Sequence, residues 1–107
     1  MILGQTQDRW GRTVELSESG WRHIARRHAE IIPDRALILA TVAYPDLVKR
    51  DAENASRENF YRIIDWTLNG RPRRYLKVCV EYGETGGTIV TAFRCGNLKP
   101  GESHRWP

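Results

Sequence analysis

The spacing of the apolar residues changes after the predicted helices, and this change limits the folds that the sequence can adopt. One helical face takes positions i, i+3, i+4 and i+7, which are occupied here by Trp21, Ile24, Ala25 and His28. From Arg74 to Tyr82 the apolar residues instead occupy every second position, as in a strand. Helical segments therefore come first and strands follow, an order that is typical of α+β folds.

Local signals place the ends of the helices. Ser17 is a suitable N-cap for a first helix over Glu18–Ala29. A second helix begins at Pro33 and Asp34 and stops before Pro45, because a proline disfavours the α conformation in the residue that precedes it. The extended segments combine β-branched or aromatic residues with alternation, and they are Trp10–Leu16, Asp46–Arg50, Glu58–Trp66, Arg74–Tyr82 and Thr88–Phe93.

The fold expected from these elements is α+β, with two N-terminal helices packed on one face of a small antiparallel β-sheet that forms a meander. The opposite face of the sheet is then open to a ligand. The 107 residues are enough for one domain, 1–107, with its core over about residues 10–95. Residues 96–107 contain glycine and proline, and we predict that they form a loop-like tail.

The charge of the chain favours an anionic partner. Lysine and arginine number 17 against 13 acidic residues, which gives a formal net charge of +4, and only three of the basic residues are lysines. The planar arginine fork matches phosphate geometry and stacks on bases. The excess favours a polyanion, although an ordinary solvated surface explains it equally well. Because no glycine-rich phosphate loop and no metal-ligand spacing occur, we expect no cofactor and no metal.

The remaining sequence signals concern the cellular compartment. Cys79 and Cys95 have no metal-site spacing, and free buried thiols in a cytoplasmic protein are favoured over a disulfide. The first residues, Met1–Gln5, lack the charged and apolar regions of a signal peptide. The longest apolar run, Ala36–Ala43, is far shorter than the roughly 20 residues that span a bilayer. We therefore expect a cytoplasmic protein without a membrane partner.

Four stretches together carry a resemblance to a known family, and they are Trp21–His28, Ala43–Asp46, Tyr75–Val80 and Ile89–Phe93. The set resembles the phage-type domains grouped with the barnase, EndoU, colicin and RelE-like nucleases, over about residues 10–95. The resemblance implies a helix pair before a small antiparallel sheet and metal-independent RNA cleavage by 2′-hydroxyl attack. The products then carry a cyclic phosphate and a free 5′-hydroxyl. Many members are toxins, while others have no demonstrated activity.

Such a cleavage needs a base, an acid and groups that stabilise the phosphate, and four residues are candidates for these roles. His28 lies near the end of the helical stripe and is either a catalytic group or a structural histidine. His23 points about 140° away from it on the helix, so its candidacy depends on the motif. Arg27 abuts His28, and Thr91 is the matched strand threonine, although threonine is also a common strand former.

A second group of residues is predicted to bind RNA. Lys77 is expected on the exposed side of its strand beside Tyr75, where a cation and an aromatic ring suit a phosphate and a stacked base. Arg57 and Arg62 are similar cases, and Tyr61 is a candidate to donate a proton or stack on a base. Ordinary surface charge and aromatic packing are the alternative explanations.

The sequence alone is compatible with two functions. The first is a metal-independent endoribonuclease of toxin type, acting on RNA such as tRNA or ribosome-associated mRNA, with an antitoxin or immunity protein as a further partner. The alternative is a non-catalytic module of the same fold that binds nucleic acid or protein. Catalysis requires His28, Arg27 and Thr91 to converge within about 3–4 Å of one phosphate-sized site, directly or through one water.

Overall fold

A computed structural model describes residues 1–27 and 34–107 of the chain. The described residues form seven strands and two helices. In chain order the elements are β1 (Ile2–Gln7), β2 (Thr13–Ser17), α1 (Glu18–Arg27), α2 (Arg35–Ala43), β3 (Leu47–Arg50), β4 (Arg57–Trp66), β5 (Pro72–Gly83), β6 (Gly86–Cys95) and β7 (Ser103–Trp106).

The predicted architecture of a small antiparallel meander beneath two N-terminal helices is wrong. The strands form one seven-stranded mixed sheet in the order β1-β2-β6-β5-β4-β3-β7, and the hairpin of β1 and β2 precedes the helices. β2 runs parallel to β6, with Val14 opposite Gly87 and Glu15 opposite Thr88. Because this pairing joins segments about seventy residues apart, local periodicity carries no signal for it.

Two strands were absent from the prediction. β1 lies at one edge of the sheet and is largely exposed, so it shows no regular apolar alternation. β7 lies at the other edge, within the segment predicted to be a loop, and pairs with β3 through Lys49 and His104. The residues that indicated a loop, Gly96, Pro100 and Gly101, come before β7 and leave its backbone free to pair.

The first helix begins after its predicted cap, Ser17, whereas Asp34, predicted to lie in the second helix, is the N-cap that precedes it. The Ser17 hydroxyl accepts a hydrogen bond from the Gly20 backbone N–H at 3.0 Å, and the Asp34 carboxylate accepts one from Leu37 at the same distance. α1 lies very close to the sheet at Gly20, where an added Cβ would be 2.9 Å from the Ile89 carbonyl oxygen. The part of the first predicted helix beyond Arg27 falls outside the described residues.

Both helices pack on one face of the sheet, which we call the helix face. Its buried residues come from α1, α2 and five strands, and they are Val14, Leu16, Ile24, Ile38, Val42, Val48, Phe60, Leu76, Val78, Val80, Ile89 and Ala92. The opposite face, which we call the polar face, carries the alternate residues of β4, β5 and β6, namely Asn59, Tyr61, Lys77, Cys79 and Thr91. Most of these side chains are buried as well, so the central strands are covered on both sides.

The connection between β1 and β2 is fixed to the rest of the sheet by Arg12. Its guanidinium donates to both carboxylate oxygens of Glu58, at 3.1 and 3.0 Å, and to Asp8 at 2.7 Å. The same group stacks on the Tyr82 ring, 3.7 Å from the ring centre. Arg12 therefore joins the N-terminal hairpin to β4 and β5 through charge-assisted hydrogen bonds.

Asp8 is the buried partner in this contact. Its carboxylate also accepts from the backbone N–H groups of Trp10 and Arg12 and from the Tyr82 hydroxyl. Burial alone would raise the pKa of Asp8, but the hydrogen bonds from Tyr82 and Arg12 outweigh it and hold the pKa below its ordinary value. Asp8 is therefore ionised in the folded protein at neutral pH.

Candidate functional site

The polar face brings together several residues that the sequence predicted to bind RNA. Tyr61 on β4 lies opposite Lys77 on β5, and Thr91 on β6 lies opposite Cys79, one row away. The Tyr75 ring meets the Tyr61 ring edge-on, with 5.8 Å between the ring centres. Four predicted residues from three strands therefore share one face of the sheet.

A carboxylate from the C-terminal segment, residues 96–107, fills the middle of this face. Glu102 accepts hydrogen bonds from Lys77 Nζ at 2.8 Å and from Asn59 Nδ2 at 2.6 Å on one oxygen. Its other oxygen accepts a hydrogen bond from the Tyr61 hydroxyl. We call these four residues the Glu102 cluster. Nothing in the sequence pattern indicated Glu102, because the C-terminal segment has no periodicity.

Lys77 was expected to project into solvent, and this expectation is wrong. Only 7 % of the residue is exposed, because Glu102 covers its ammonium group. The ammonium lies 5.5 Å from the centre of the Tyr61 ring and 5.7 Å from that of Phe93. Lys77 is therefore part of a buried polar network and does not contact solvent as a surface cation does.

Burial changes the acidity of the neighbouring groups. Burial and the hydrogen bond to Glu102 raise the pKa of Tyr61, so its phenol stays protonated and donates to the carboxylate. Burial raises the pKa of the Cys79 thiol to about 11, against a smaller opposing effect of Arg57. Both cysteines are free thiols.

Two polar atoms of the polar face have no hydrogen-bond partner among the residues that the structure describes. They are Asn59 Oδ1 and Thr91 Oγ1, and both atoms are buried. Buried polar atoms are nearly always paired, so these two indicate hydrogen-bonding capacity that Glu102 does not use.

The remaining predicted RNA-binding residues, Arg57 and Arg62, lie apart from the Glu102 cluster. Arg57 is half-buried and forms an ion pair with Glu81 at 2.5 Å, and this hydrogen bond raises its pKa. Arg62 is half-buried and lies on the same face as Phe60, the helix face. These two arginines are therefore not brought together with Lys77 at one point.

The catalytic group predicted from the sequence is not assembled within residues 1–27 and 34–107. His23 and Arg27 are exposed on α1, which packs on the helix face through Ile24. Thr91 belongs to the opposite face, because its neighbour Ala92 is in the helix-face core. His28 lies outside the described residues.

An open cleft on the helix face supplies a second candidate site. It has a volume of about 330 Å³ and lies between the start of α2 and the ends of β4, β5 and β6. Its lining residues, which we call the arginine cleft, are Asp34, Leu37, Ile64, Asp65, Arg74, Leu76 and Arg94. This volume is at the lower end of the range for ligand pockets, roughly 300–1,000 Å³.

The charges of the arginine cleft suit an anionic ligand. Arg74 and Arg94 are exposed, and neither has an ion-pair partner in the described part of the chain. Asp65 accepts a hydrogen bond from the Trp66 backbone N–H at 2.9 Å and lies 3.8 Å from Arg73. Two available guanidinium groups beside an apolar floor can hold a phosphate and the base attached to it.

Neither Arg74 nor Arg94 was among the residues predicted to bind RNA. The run from Arg71 to Arg74 was a signal for the first of them, because three of its four residues are arginines. Arg94 is a single charge at the end of a strand, and only the pairing of β5 with β6 brings it beside Leu76.

In residues 1–27 and 34–107 no group of three or more histidine, cysteine, aspartate or glutamate side chains could hold a metal ion. No helix in these ranges is long and apolar enough to cross a membrane.

Comparison with known proteins gave no relative: no family model matches the chain, and no curated protein or solved structure matches it either. The resemblance to the nuclease fold group therefore stays a prediction from the sequence motifs.

Proposed function

We propose that this protein is a metal-independent endoribonuclease that binds RNA in the arginine cleft. The observation that supports the proposal is the pair of guanidinium groups, Arg74 and Arg94, without ion-pair partners in the described residues and on the rim of a solvent-open cavity. The apolar floor, formed by Leu37, Ile64 and Leu76, gives a base a surface to pack on. The excess of arginine in the whole chain is consistent with an RNA partner.

The proposed reaction is an internal transfer at one phosphodiester. The ribose 2′-oxygen loses its proton and forms a bond to phosphorus, while the bond from phosphorus to the 5′-oxygen breaks and that oxygen takes a proton. Asp65 is the carboxylate in the cleft that is suited to accept the first proton, and Arg74 and Arg94 stabilise the charge on the phosphate. His28 stays the predicted second proton-transfer group.

A non-catalytic RNA-binding module is the second candidate function. The observation that favours it is the position of Thr91 on the polar face, away from His23 and Arg27 on α1. A binding module needs the arginine cleft but no proton-transfer groups. Under either function we propose a cytoplasmic protein. If the endoribonuclease is a toxin, we propose an antitoxin or immunity protein as its partner.

The binding step is tested with an RNA oligonucleotide that carries 2′-O-methyl groups and therefore cannot be cleaved by this route. Arg74→Ala and Arg94→Ala should each weaken its affinity about tenfold, because each removes one charge-assisted phosphate contact. The slope of the logarithm of the binding constant against the logarithm of the salt concentration should become shallower by about 0.7 for each lost phosphate contact.

Arg50→Ala is the matched control, because Arg50 is an exposed arginine whose side chain contacts the His104 carbonyl at the far end of the sheet. Equal weakening by all three variants would mean that net charge alone binds RNA, and the cleft assignment would be wrong.

A further inference from the structure

The polar face contains a second site, distinct from the arginine cleft. Three donors from two adjacent strands, Asn59 Nδ2, Tyr61 Oη and Lys77 Nζ, converge on the two oxygens of one carboxylate, that of Glu102. Its side chain is completely buried. Two neutral donors and a cation around a small anion are the chemistry of an oxyanion-binding site.

The stability of the fold does not account for this arrangement. A buried ion pair adds little net stability, because removing two charges from water offsets their attraction, and apolar side chains of similar size often serve equally well. The edge strand β7 is held by other contacts, since Arg105 pairs with Glu58 at 2.7 Å and Arg9 stacks on Trp106 at 3.9 Å. The C-terminal segment therefore has anchors that do not depend on Glu102.

The buried polar atoms without hydrogen-bond partners indicate a ligand larger than a carboxylate. Asn59 Oδ1 and Thr91 Oγ1 are buried on the same face without partners among the described residues. A carboxylate has two acceptor atoms and no donor. Thr91 lies two strands away from Asn59, whereas the free acceptor Asn59 Oδ1 can take a hydrogen bond from a hydroxyl beside a phosphate group. Asn59 itself is completely buried, so its free acceptor faces the interior.

We propose that Asn59, Tyr61 and Lys77 form a binding site for a phosphate group, and that Glu102 occupies this site in place of the ligand. Glu102 is then an internal competitor, and the site opens when the C-terminal segment moves away from the polar face. Among the strands that the structure describes, the backbone of the segment pairs with β3 alone, at one edge of the sheet, so its release leaves the other strand pairs intact. The inference does not depend on RNA cleavage.

Removal of the internal carboxylate tests the site directly. In Glu102→Ala, inorganic phosphate should shift the backbone amide resonances of Asn59, Tyr61 and Lys77 in a saturable manner. The apparent affinity should be at least about tenfold higher than in the wild type, because a site that Glu102 fills more than 90 % of the time binds phosphate only in the remaining fraction. Adding Lys77→Met to this variant should abolish the response.

Glu53→Ala is the control, because Glu53 is an exposed carboxylate that lies 3.9 Å from Lys99 of the same segment. It removes one negative charge without opening the polar face, so phosphate should cause no saturable shift at Asn59, Tyr61 or Lys77. A response equal to that of Glu102→Ala would mean that net charge alone explains the effect, and it would overturn the proposal.

The source of the phosphate is distinguished with a 2′-O-methyl RNA oligonucleotide. If the oligonucleotide and inorganic phosphate shift the same three residues of Glu102→Ala, the site takes a nucleic-acid phosphate. If inorganic phosphate alone does so, the site takes a small free phosphate. A folded variant in which neither probe shifts these residues would contradict the proposal.

Glu102→Gln covers the case in which Glu102→Ala does not fold, because the amide keeps the size of the side chain and removes its charge. It should bind phosphate more tightly than the wild type. If neither variant folds, Glu102 is a structural part of the domain and the proposal is wrong.

Discussion

Replacement of Arg12 by alanine should destabilise the fold by about 3 kcal/mol. The side chain donates three charge-assisted hydrogen bonds, two to Glu58 and one to Asp8, and stacks on Tyr82. Each such bond contributes roughly 1.5–3 kcal/mol, but the side chain is 31 % exposed, and solvent screens part of this contribution. Glu58 also keeps its ion pair with Arg105, so the sum of the three bonds is an upper limit.

The assay is thermal unfolding at pH 7, followed by circular dichroism. Arg12→Ala should lower the midpoint of thermal unfolding by roughly 12–24 °C, since 1 kcal/mol corresponds to about 4–8 °C in a domain of this size. Arg12→Lys keeps the charge but cannot make the paired hydrogen bonds to Glu58, so it should lose about half as much stability as Arg12→Ala. Arg22→Ala is the control, because its ion pair with Glu18 is exposed and contributes less than about 0.5 kcal/mol. A loss for Arg12→Ala no larger than that for Arg22→Ala would refute the reasoning.

Three further predictions concern single groups. Asp8→Asn should lower the free energy of unfolding by about 3 kcal/mol at pH 7. Because the folded pKa of Asp8 is lowered, this difference should shrink as pH falls from the ordinary aspartate range towards the folded pKa. The measurement is thermal unfolding from pH 7 to pH 3. Iodoacetamide should modify Cys95 before Cys79 in the native protein, because Cys79 is more deeply buried and its thiol has a pKa of about 11, and mass spectrometry gives the order. His28→Ala should abolish RNA cleavage with the unfolding midpoint close to that of the wild type, and an equally active variant would remove His28 from the mechanism.

The local elements of the fold could be predicted from the sequence, and the assembly of the sheet could not. Helix starts follow from short-range hydrogen bonds, so Ser17 was recognised as a cap, whereas Asp34 was placed inside the second helix and is its N-cap. The pairing of β2 with β6 depends on contacts between distant residues, and no local pattern encodes it. β1 and β7 form edge strands through backbone hydrogen bonds, which place few demands on the side-chain pattern.

The face of the sheet on which Lys77 lies was predicted correctly, but its exposure to solvent was not. Alternation along β5 correctly separates Lys77 from Val78, since the two side chains lie on opposite faces of the sheet. It cannot show that Glu102, twenty-five residues further along, covers the ammonium group. A lysine fits the alternation of a strand equally well whether its side chain is buried or exposed. Only the path of the C-terminal segment distinguishes the two cases.

Cleavage of RNA in the presence of EDTA tests the proposed function most directly. The purified protein is incubated with tRNA and total RNA, the product ends are mapped, and the wild type is compared with Arg94→Ala and Arg50→Ala. We expect wild-type products with cyclic phosphate ends, a rate about 100-fold lower for Arg94→Ala, which loses one phosphate-stabilising group, and an unchanged rate for Arg50→Ala. No cleavage by the wild type, or a full rate for Arg94→Ala, would contradict the assignment of a ribonuclease site to the arginine cleft.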